Sequence, residues 1–233
     1  MAALAFSAPA PNFASDTMNY ELARHHMIQQ QLRTAEVLAP DTVDLLYIDR
    51  REEYVPDAYR RLAFADVSIP LAPHAAMLTP KLEARLLQSS GLKGGETVLE
   101  VGTGSGHMAA LLAELADEVW TVEIDAALAA RARANLENDG VVNVAVEVGD
   151  GLAGLPAHAP YDCIVVSGGV TEIPAALLAQ LKVGGRLFAF VGAAPVMALR
   201  RVVRQAEESY VATDLLETVV PMLQNSAAVR FSF

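Results

Sequence analysis

The stretch Val98–Leu115, VLEVGTGSGHMAALLAEL, sets an acid, Glu100, two residues ahead of three glycines at alternate positions, Gly102, Gly104 and Gly106. Thr103 and Ser105 fill the gaps, and a helical pattern follows. Glycine has no Cβ, so a strand-to-helix turn of this kind bends sharply and lets the backbone come within contact distance of a ligand. The helix behind it points free N–H groups and the positive end of its dipole at the same space, which suits an anion. Dinucleotide folds use G-x-G-x-x-G to admit a pyrophosphate; here the third glycine comes one residue earlier. A second acid, Glu123, stands beside Ile124 in TVEID, twenty-one residues after Gly102. Its carboxylate has two acceptor oxygens and can take both hydroxyls of a ribose. A third apolar run closes in Gly149, Asp150 and Gly151, where Asp150 can accept from an adenine amino group. Taken singly, the glycine turn also has a reading as strand–helix packing, Glu123 as a solvated strand end and Asp150 as a turn residue. Three such ends in succession describe a nucleoside site across the switch point of a parallel sheet.

The elements that must position these groups are legible from residue 96 onward. TVLEVG, EVWTVEID, VNVAVEVGD, YDCIVVSGG and RLFAFVG read as strands. Between them, GHMAALLAELA, AALAARARANLEN (capped by Asp125) and IPAALLAQL read as helices, and Gly184 and Gly185 turn the chain into the last strand. This βαβα succession predicts an α/β domain, a doubly wound and mostly parallel sheet with helices on both faces. The tail, LRRVVRQAEESYVATDLLETVVPML and AAVRFSF, has no long helix and reads as antiparallel strands at the sheet edge. Upstream, residues 19–37 have helical spacing. Asp41 is expected to cap a second short helix with Val43, Leu45 and Leu46 inward, and 51–66 reads as a loop with short turns. A third helix follows Pro80, with Leu82, Leu86 and Leu87 on one face and Gly91 ending it. The expected division is an N-terminal arm over 1–18, a helical part over 19–91, and an α/β domain over 92–233.

Composition narrows the class. The 233 residues are 53% hydrophobic and 19% charged, enough to bury a sizeable core. A formal net charge of -11 argues against nucleic acid as a partner. The arm has no basic region of a signal peptide and no stretch approaches a membrane span, so a cytoplasmic protein is expected. The lone Cys163 lies in an apolar run and reads as core rather than nucleophile. His25 and His26 have no partner at a metal-ligand spacing, and no metal is expected. The sequence does not disclose an oligomeric state.

The strand ends resemble those of class I S-adenosylmethionine-dependent methyltransferases: VLEVGTGSG, TVEID, GDG, YDCIVVSGG and LKVGGRLFAFVG. The resemblance implies a seven-stranded Rossmann-like fold and the cofactor S-adenosyl-L-methionine, with S-adenosyl-L-homocysteine as product. Its methionine carboxylate falls to the glycine turn, its amino group to the neighbourhood of Glu100, its ribose to Glu123 and its adenine to Asp150. A turn without lysine or arginine fits a ligand without phosphate. Over nearly all of residues 20–195 the text is similar, more narrowly, to the protein-L-isoaspartate O-methyltransferase family. MIQQQLR, EEYVPDAYRRLAFADVSIPL, GDG followed by APYD, and the run IPAALLAQLKVGGRL carry this likeness. The family implies a cytoplasmic enzyme that esterifies the abnormal carboxyl of isoaspartyl residues in damaged proteins. The ester then cyclises to a succinimide that can reopen as aspartate.

One segment departs. Where the family reads close to G-x-G-Q-T-I-S-Q-P, this chain reads APHAAMLTP, so Leu78 stands at the serine position and Ala76 at the threonine position. Leu78 and Thr79 are the positions corresponding to the family's catalytic segment, and Thr79 offers a hydroxyl one place along. His74 reads as a loop residue, and His107 as a neutral imidazole lining the cofactor pocket. Beside the isoaspartyl reaction stand a methyltransferase of the same fold acting on another acceptor, a cofactor-binding relative without turnover, and, more distantly, a nicotinamide oxidoreductase.

Overall fold

The computed structural model describes residues 18–226. The arm, apart from Met18, and the closing run 227–233 read above as strand lie outside the described residues. The first helix begins as α1 (Tyr20–His26), with Asn19 accepting from the Leu22 N–H at 2.9 Å. It continues through a wider π-helical stretch, Met27–Leu32, and a 3-10 turn, Arg33–Ala35. Met27, Ile28 and Leu32 are all buried by it. In α2 (Pro40–Ile48) Val43, Leu45 and Leu46 face inward as expected, but Asp41 is not the cap. Pro40 takes the first helical position, where its missing N–H costs nothing, so Ala39 becomes the cap and Asp41 joins the first turn.

The segment expected as a loop is partly helical: α3 (Arg51–Tyr54) and a 3-10 stretch, Asp57–Leu62. Arg51 and Tyr54 are buried there because their partners come from distant parts of the chain. Residues 69–77, which overlap the first part of APHAAMLTP, form a hairpin that periodicity did not announce, β1 (Ile69–Ala72) paired antiparallel with β2 (Ala75–Met77). Helix α4 (Pro80–Ser90) follows, buries Leu82, Leu86 and Leu87, and ends at Gly91 with φ 59°.

The α/β part then runs β3 (Thr97–Val101), α5 (His107–Ala113), β4 (Glu118–Glu123), α6 (Ala126–Asp139), β5 (Val144–Val148), β6 (Tyr161–Val170), α7 (Ala175–Ala179), β7 (Leu181–Ala193), β8 (Val196–Ala206) and β9 (Ser209–Glu217). The strands form one seven-stranded sheet in the order β5-β4-β3-β6-β7-β8-β9. Pairs from β5 to β7 are parallel; β7–β8 and β8–β9 are antiparallel. This is the doubly wound, mostly parallel sheet with an antiparallel edge read from the sequence. The edge strand β9 ends at Glu217, and the described residues beyond it, 218–226, form no further strand of the sheet. The glycine pair 184–185 lies inside β7 rather than before it, where the register against β6 shifts.

Alternate residues of the central strands feed two cores. Val98, Cys163, Val165, Phe188 and Phe190 join the first, Leu99, Val101, Ile164, Val166 and Leu187 the second. That is the period-two consequence of a sheet covered on both faces. The first core also contains Met27, Leu46, Tyr54, Leu86 and Leu87, so the N-terminal helices and the sheet share one apolar interior. Strand order reverses beside β3, which opens the crevice at the carboxyl edge.

Helix α6 hangs on Asp125, whose Oδ1 accepts from the N–H groups of Ala127 (2.8 Å) and Leu128 (3.2 Å). Asp125→Ala is expected to lose about 1 kcal/mol. That lowers the thermal midpoint by roughly 2–4 °C for a chain of this size, readable by differential scanning calorimetry.

Candidate active site

A cleft of about 670 Å³, open solvent included, lies over the carboxyl ends of β3, β4 and β6. This is within the range of small-molecule sites. Its floor is Val101, Gly102 and Gly104. Glu123, Ile124, Asp150, Gly151 and Leu152 form one side, Ser167 and Gly168 the other. His74, Ala75, Ala76 and Leu78 reach in from the hairpin, and Pro221, Met222, Leu223 and Gln224 close it from the C-terminal segment. None of these lining residues is lysine or arginine.

The three glycines of the turn have φ 92°, 55° and 87°, a region other residues rarely occupy. Their roles differ. A Cβ on Gly102 would stand 3.0 Å from Leu223 Cδ2, at the cavity. Gly106 instead faces α6, where a Cβ would stand 3.3 Å from the Ala132 carbonyl and from Leu136, and it does not line the cleft. The turn's N–H groups are partly engaged: Gly104 N–H donates to Glu123 Oε2 at 2.8 Å, and Gly106 N–H to the Thr103 carbonyl at 2.9 Å. Glu123 Oε1 accepts from Asp125 N–H at 3.1 Å. Gly149 N–H donates to the Glu123 carbonyl at 2.9 Å, tying the second and third strand ends together. Asp150 Oδ1 accepts from Leu152 N–H at 3.0 Å, which makes it a turn cap as well as a lining group.

Glu100 lies behind the turn, fully buried, rather than in the main cleft. It faces a smaller chamber together with Glu83, Thr103, Ser105 and Ser167. Ser167 donates to its Oε1 and Thr121 to its Oε2, each at 2.7 Å. Because Thr121 spends its one proton there, Thr103 is the donor in the 2.6 Å contact between the two threonines. Burial pushes the Glu100 carboxyl up to about 8. The two hydroxyl bonds oppose that rise, and the charges of Glu83 and Glu123 add to it. Ser167 reaches this position because β6 bulges: Val166 pairs with Ala189 and Gly169 with Phe190, so Ser167 and Gly168 are extra residues.

His107 corrects the expectation of a neutral, pocket-lining imidazole. It lines neither chamber and is 2% exposed. Nδ1 lies 2.9 Å from Glu83 Oε2, and Nε2 lies 3.0 Å from both Asp49 oxygens. Burial pulls its pKa down, but the charges of Asp49 and Glu83 outweigh that and raise it to about 9. At neutral pH it is an imidazolium donating from both nitrogens. Arg51 Nη1 is paired with the same Glu83 oxygen. Arg51 also donates from Nε to the Ala63 carbonyl at 2.8 Å and from Nη2 to the Leu78 carbonyl at 2.7 Å. These two cations and two carboxylates join α2, α3, α4 and α5 under the site. Sequence reasoning missed Arg51 and Glu83, since a charged run reads as surface when its partners are far along the chain.

Leu78 is buried against the cleft. Thr79 stands outside the lining: it caps α4, accepting from Leu82 N–H at 3.4 Å. His74 occupies the hairpin turn, as a loop residue, and its exposed side chain borders the mouth. The C-terminal segment was also missed. Gly169 N–H donates to the Pro221 carbonyl and Leu223 N–H to the Gly169 carbonyl, both at 2.8 Å. Leu223 lies so close to Gly168 that a Cβ there would approach it to 2.6 Å. The small pair Gly168–Gly169 after an apolar run was the available signal. Cys163 is core, as read, its thiol pushed up to about 12 by burial. Among the described residues, no helix is long and apolar enough to cross a membrane.

The sheet order and the acid-tipped strands around a glycine turn without lysine or arginine are those of a Rossmann-like S-adenosylmethionine-dependent methyltransferase. A sequence profile described as protein-L-isoaspartate(D-aspartate) O-methyltransferase matches residues 23–227. The chain belongs to that family. Among its relatives, the protein-L-isoaspartate O-methyltransferase of Syntrophus aciditrophicus is 38% identical over 189 residues, covering 81% of this chain and 87% of its own. That of Syntrophotalea carbinolica is 39% identical over 200 residues, covering 86% and 92%. A solved protein-L-isoaspartate O-methyltransferase superposes with TM-score 0.77 at 26% identity, over 87% of this chain and 66% of its own. A Plasmodium falciparum structure, described as a complex with S-adenosyl-L-homocysteine, shares the fold with TM-score 0.72 at 16% identity, over 89% and 99%.

Glu100 and His107 both hold protons more tightly in the folded chain, at about 8 and about 9 against ordinary values of 4.5 and 6.5. Between those limits the folded state binds more protons, so stability falls as pH rises. Their contribution is full below the lower values and is lost as pH climbs through about 8 to 9. The ligand-free thermal midpoint is therefore expected to drop from pH 6.5 to 9, and Glu100→Gln is expected to flatten part of that drop.

Proposed function

We propose that the chain transfers the methyl group of S-adenosyl-L-methionine to the side-chain carboxyl of L-isoaspartyl residues in damaged proteins, in the cytoplasm. The observation that carries this reading is the cleft itself, with three strand ends bringing Gly102, Glu123 and Asp150 to one wall. The residues suit the cofactor's parts. Glu123 has two oxygens for the ribose hydroxyls, with Ile124 beside it. Asp150 and its flanking Gly149 and Gly151 meet the adenine edge and ring. The turn Gly102–Gly106, with Thr103 and Ser105 beneath it, and Glu100 take the methionine end. When bound, the cofactor supplies a methyl group on a positively charged sulfur, open to in-line displacement.

The protein's own task is alignment. An isoaspartyl carboxyl has an ordinary pKa of about 4 and is ionised at neutral pH, so no general base is needed. Holding the nucleophile in line is worth roughly 7–11 kcal/mol. On the acceptor side we assign Leu78 and Thr79 to the place of the family's catalytic segment, Leu78 as an apolar wall and Thr79 as the cap that fixes α4 behind it. His74 and Gln224 are polar side chains on that side with donors for a carboxylate. The family's missing hydroxyl accounts for about 1–3 kcal/mol of substrate binding at most. Ala76 and Leu78, apolar where the family carries hydroxyls, favour as second reading a different methyl acceptor on the same fold.

Purified protein incubated with labelled cofactor and an isoaspartyl peptide is expected to form a base-labile methyl ester, and the matching aspartyl peptide to form none. Labelling only of non-carboxyl acceptors would select the second reading. Glu123→Ala is expected to raise the cofactor Kd by tenfold or more, on the scale of charge-assisted hydrogen bonds lost. Isothermal calorimetry reads that change.

A further inference from the structure

The chamber behind the glycine turn holds two carboxyl side chains from different parts of the chain. Glu100 comes from β3, and Glu83, 3% exposed, from the first turn of α4. Glu83 is not part of the strand-end pattern. Its Oε2 takes Arg51 and His107 together. Among the described residues, no hydrogen bond reaches its other oxygen, Oε1, although the side chain lines the chamber.

A charge count gives this arrangement a meaning. Asp49 and Glu83 balance Arg51 and the His107 imidazolium, two against two. Glu100 has no cation among its direct partners: these are the hydroxyls of Ser167 and Thr121, and the charges of Glu83 and Glu123 act on it to raise its pKa. A chamber with one uncompensated carboxyl and a second with a free oxygen is matched by a small cation with several N–H donors. Alkylammonium has three. The place adjoins Gly102 and Gly104, where the methionine end of the cofactor falls in the reading above.

We propose that Glu83 is a cofactor-binding residue which receives, with Glu100, the ammonium group of the cofactor's amino-acid end, and that Arg51 is its positioning residue. Arg51 acts in two directions at once. Nη1 fixes the Glu83 carboxylate, while Nη2 holds the Leu78 carbonyl, whose side chain walls the acceptor side. One guanidinium fork thereby sets the spacing between the cofactor's charged end and the acceptor wall. Arg suits this geometry where Lys does not, because its donors are fixed in one plane.

The proposal rests on the cofactor reading, and the test separates the two. S-Adenosylhomocysteine carries the ammonium; 5′-methylthioadenosine has the same nucleoside and lacks the amino-acid end. Calorimetric titration of Glu83→Gln is expected to show a Kd for S-adenosylhomocysteine raised tenfold or more, with that for methylthioadenosine within about twofold of the unmodified protein. Wild-type protein that binds neither compound would sink the cofactor reading itself. A variant that binds S-adenosylhomocysteine normally, or loses both compounds equally, would overturn the role of Glu83 alone.

Removing one member of a buried pair is harsher than removing both. Arg51→Met with Glu83→Gln therefore gives a second background with the same expected selectivity. In unmodified protein carrying 13C-labelled glutamate side chains, S-adenosylhomocysteine is expected to shift two buried carboxyl resonances that methylthioadenosine leaves in place. A single shifted resonance would remove Glu83 from the site. Arg51→Lys is expected to lower kcat at saturating cofactor by more than it raises the cofactor KM; a change in thermal midpoint alone would mean that Arg51 is only structural.

Discussion

A guanidinium with 1% of its surface exposed is the constraint around which the N-terminal half is arranged. Arg51 cannot shed its charge, so folding must supply acceptors for its donors in the interior. The chain answers with the carbonyls of Ala63 and Leu78 and the carboxylate of Glu83. Each answer fixes a piece of architecture: the end of the 3-10 stretch, the exit of the hairpin, and the first turn of α4. Glu83 then recruits His107, and His107 recruits Asp49, which carries the network from α4 through the start of α5 to the end of α2. Such a network is a poor source of net stability compared with apolar packing, but it is intolerant of displacement. That intolerance is useful where the acceptor wall must keep its distance from a reacting sulfur.

The two halves of the site are held by different physics. The nucleoside side depends on backbone: strand ends in fixed register, a turn that only glycine can make, and N–H bonds between neighbouring strand ends. The acceptor side depends on side chains gathered from the hairpin, α4 and the C-terminal segment. Changes in APHAAMLTP therefore leave the first half untouched. This explains how the chain keeps the family's cofactor-side text while replacing its hydroxyl-bearing segment.

The sheet and its three acid-tipped ends were legible because they rest on local rules: apolar runs, punctuating glycines and one capping aspartate. Glu123 and Asp150 could be placed from their strand ends alone. Glu100 was placed on its strand, but its burial behind the glycine turn was not legible, since sequence does not say that the turn covers it. His107 was misread because its charge is set by Asp49 and Glu83, fifty-eight and twenty-four residues away. Arg51 and Tyr54 sit in a charged stretch whose composition signals a surface, and only tertiary pairing puts them inside. The hairpin escaped notice because nine residues, 69–77, with two prolines and no alternation carry no strand rhythm. Pro221–Leu223 ended a run read as edge strands, yet the chain leaves the sheet edge after Glu217 and returns to the bulge in β6.

That return has a consequence for the life of the protein. Every strand of the sheet precedes Pro221 in the order of synthesis, and the segment roofing the cleft is made after all of them. A nascent or prematurely terminated chain ending before that point would have the sheet, the turn and the acids, but an unroofed crevice open to water. Competence for catalysis is thereby scheduled to follow the synthesis of Pro221–Gln224 and not that of the sheet alone.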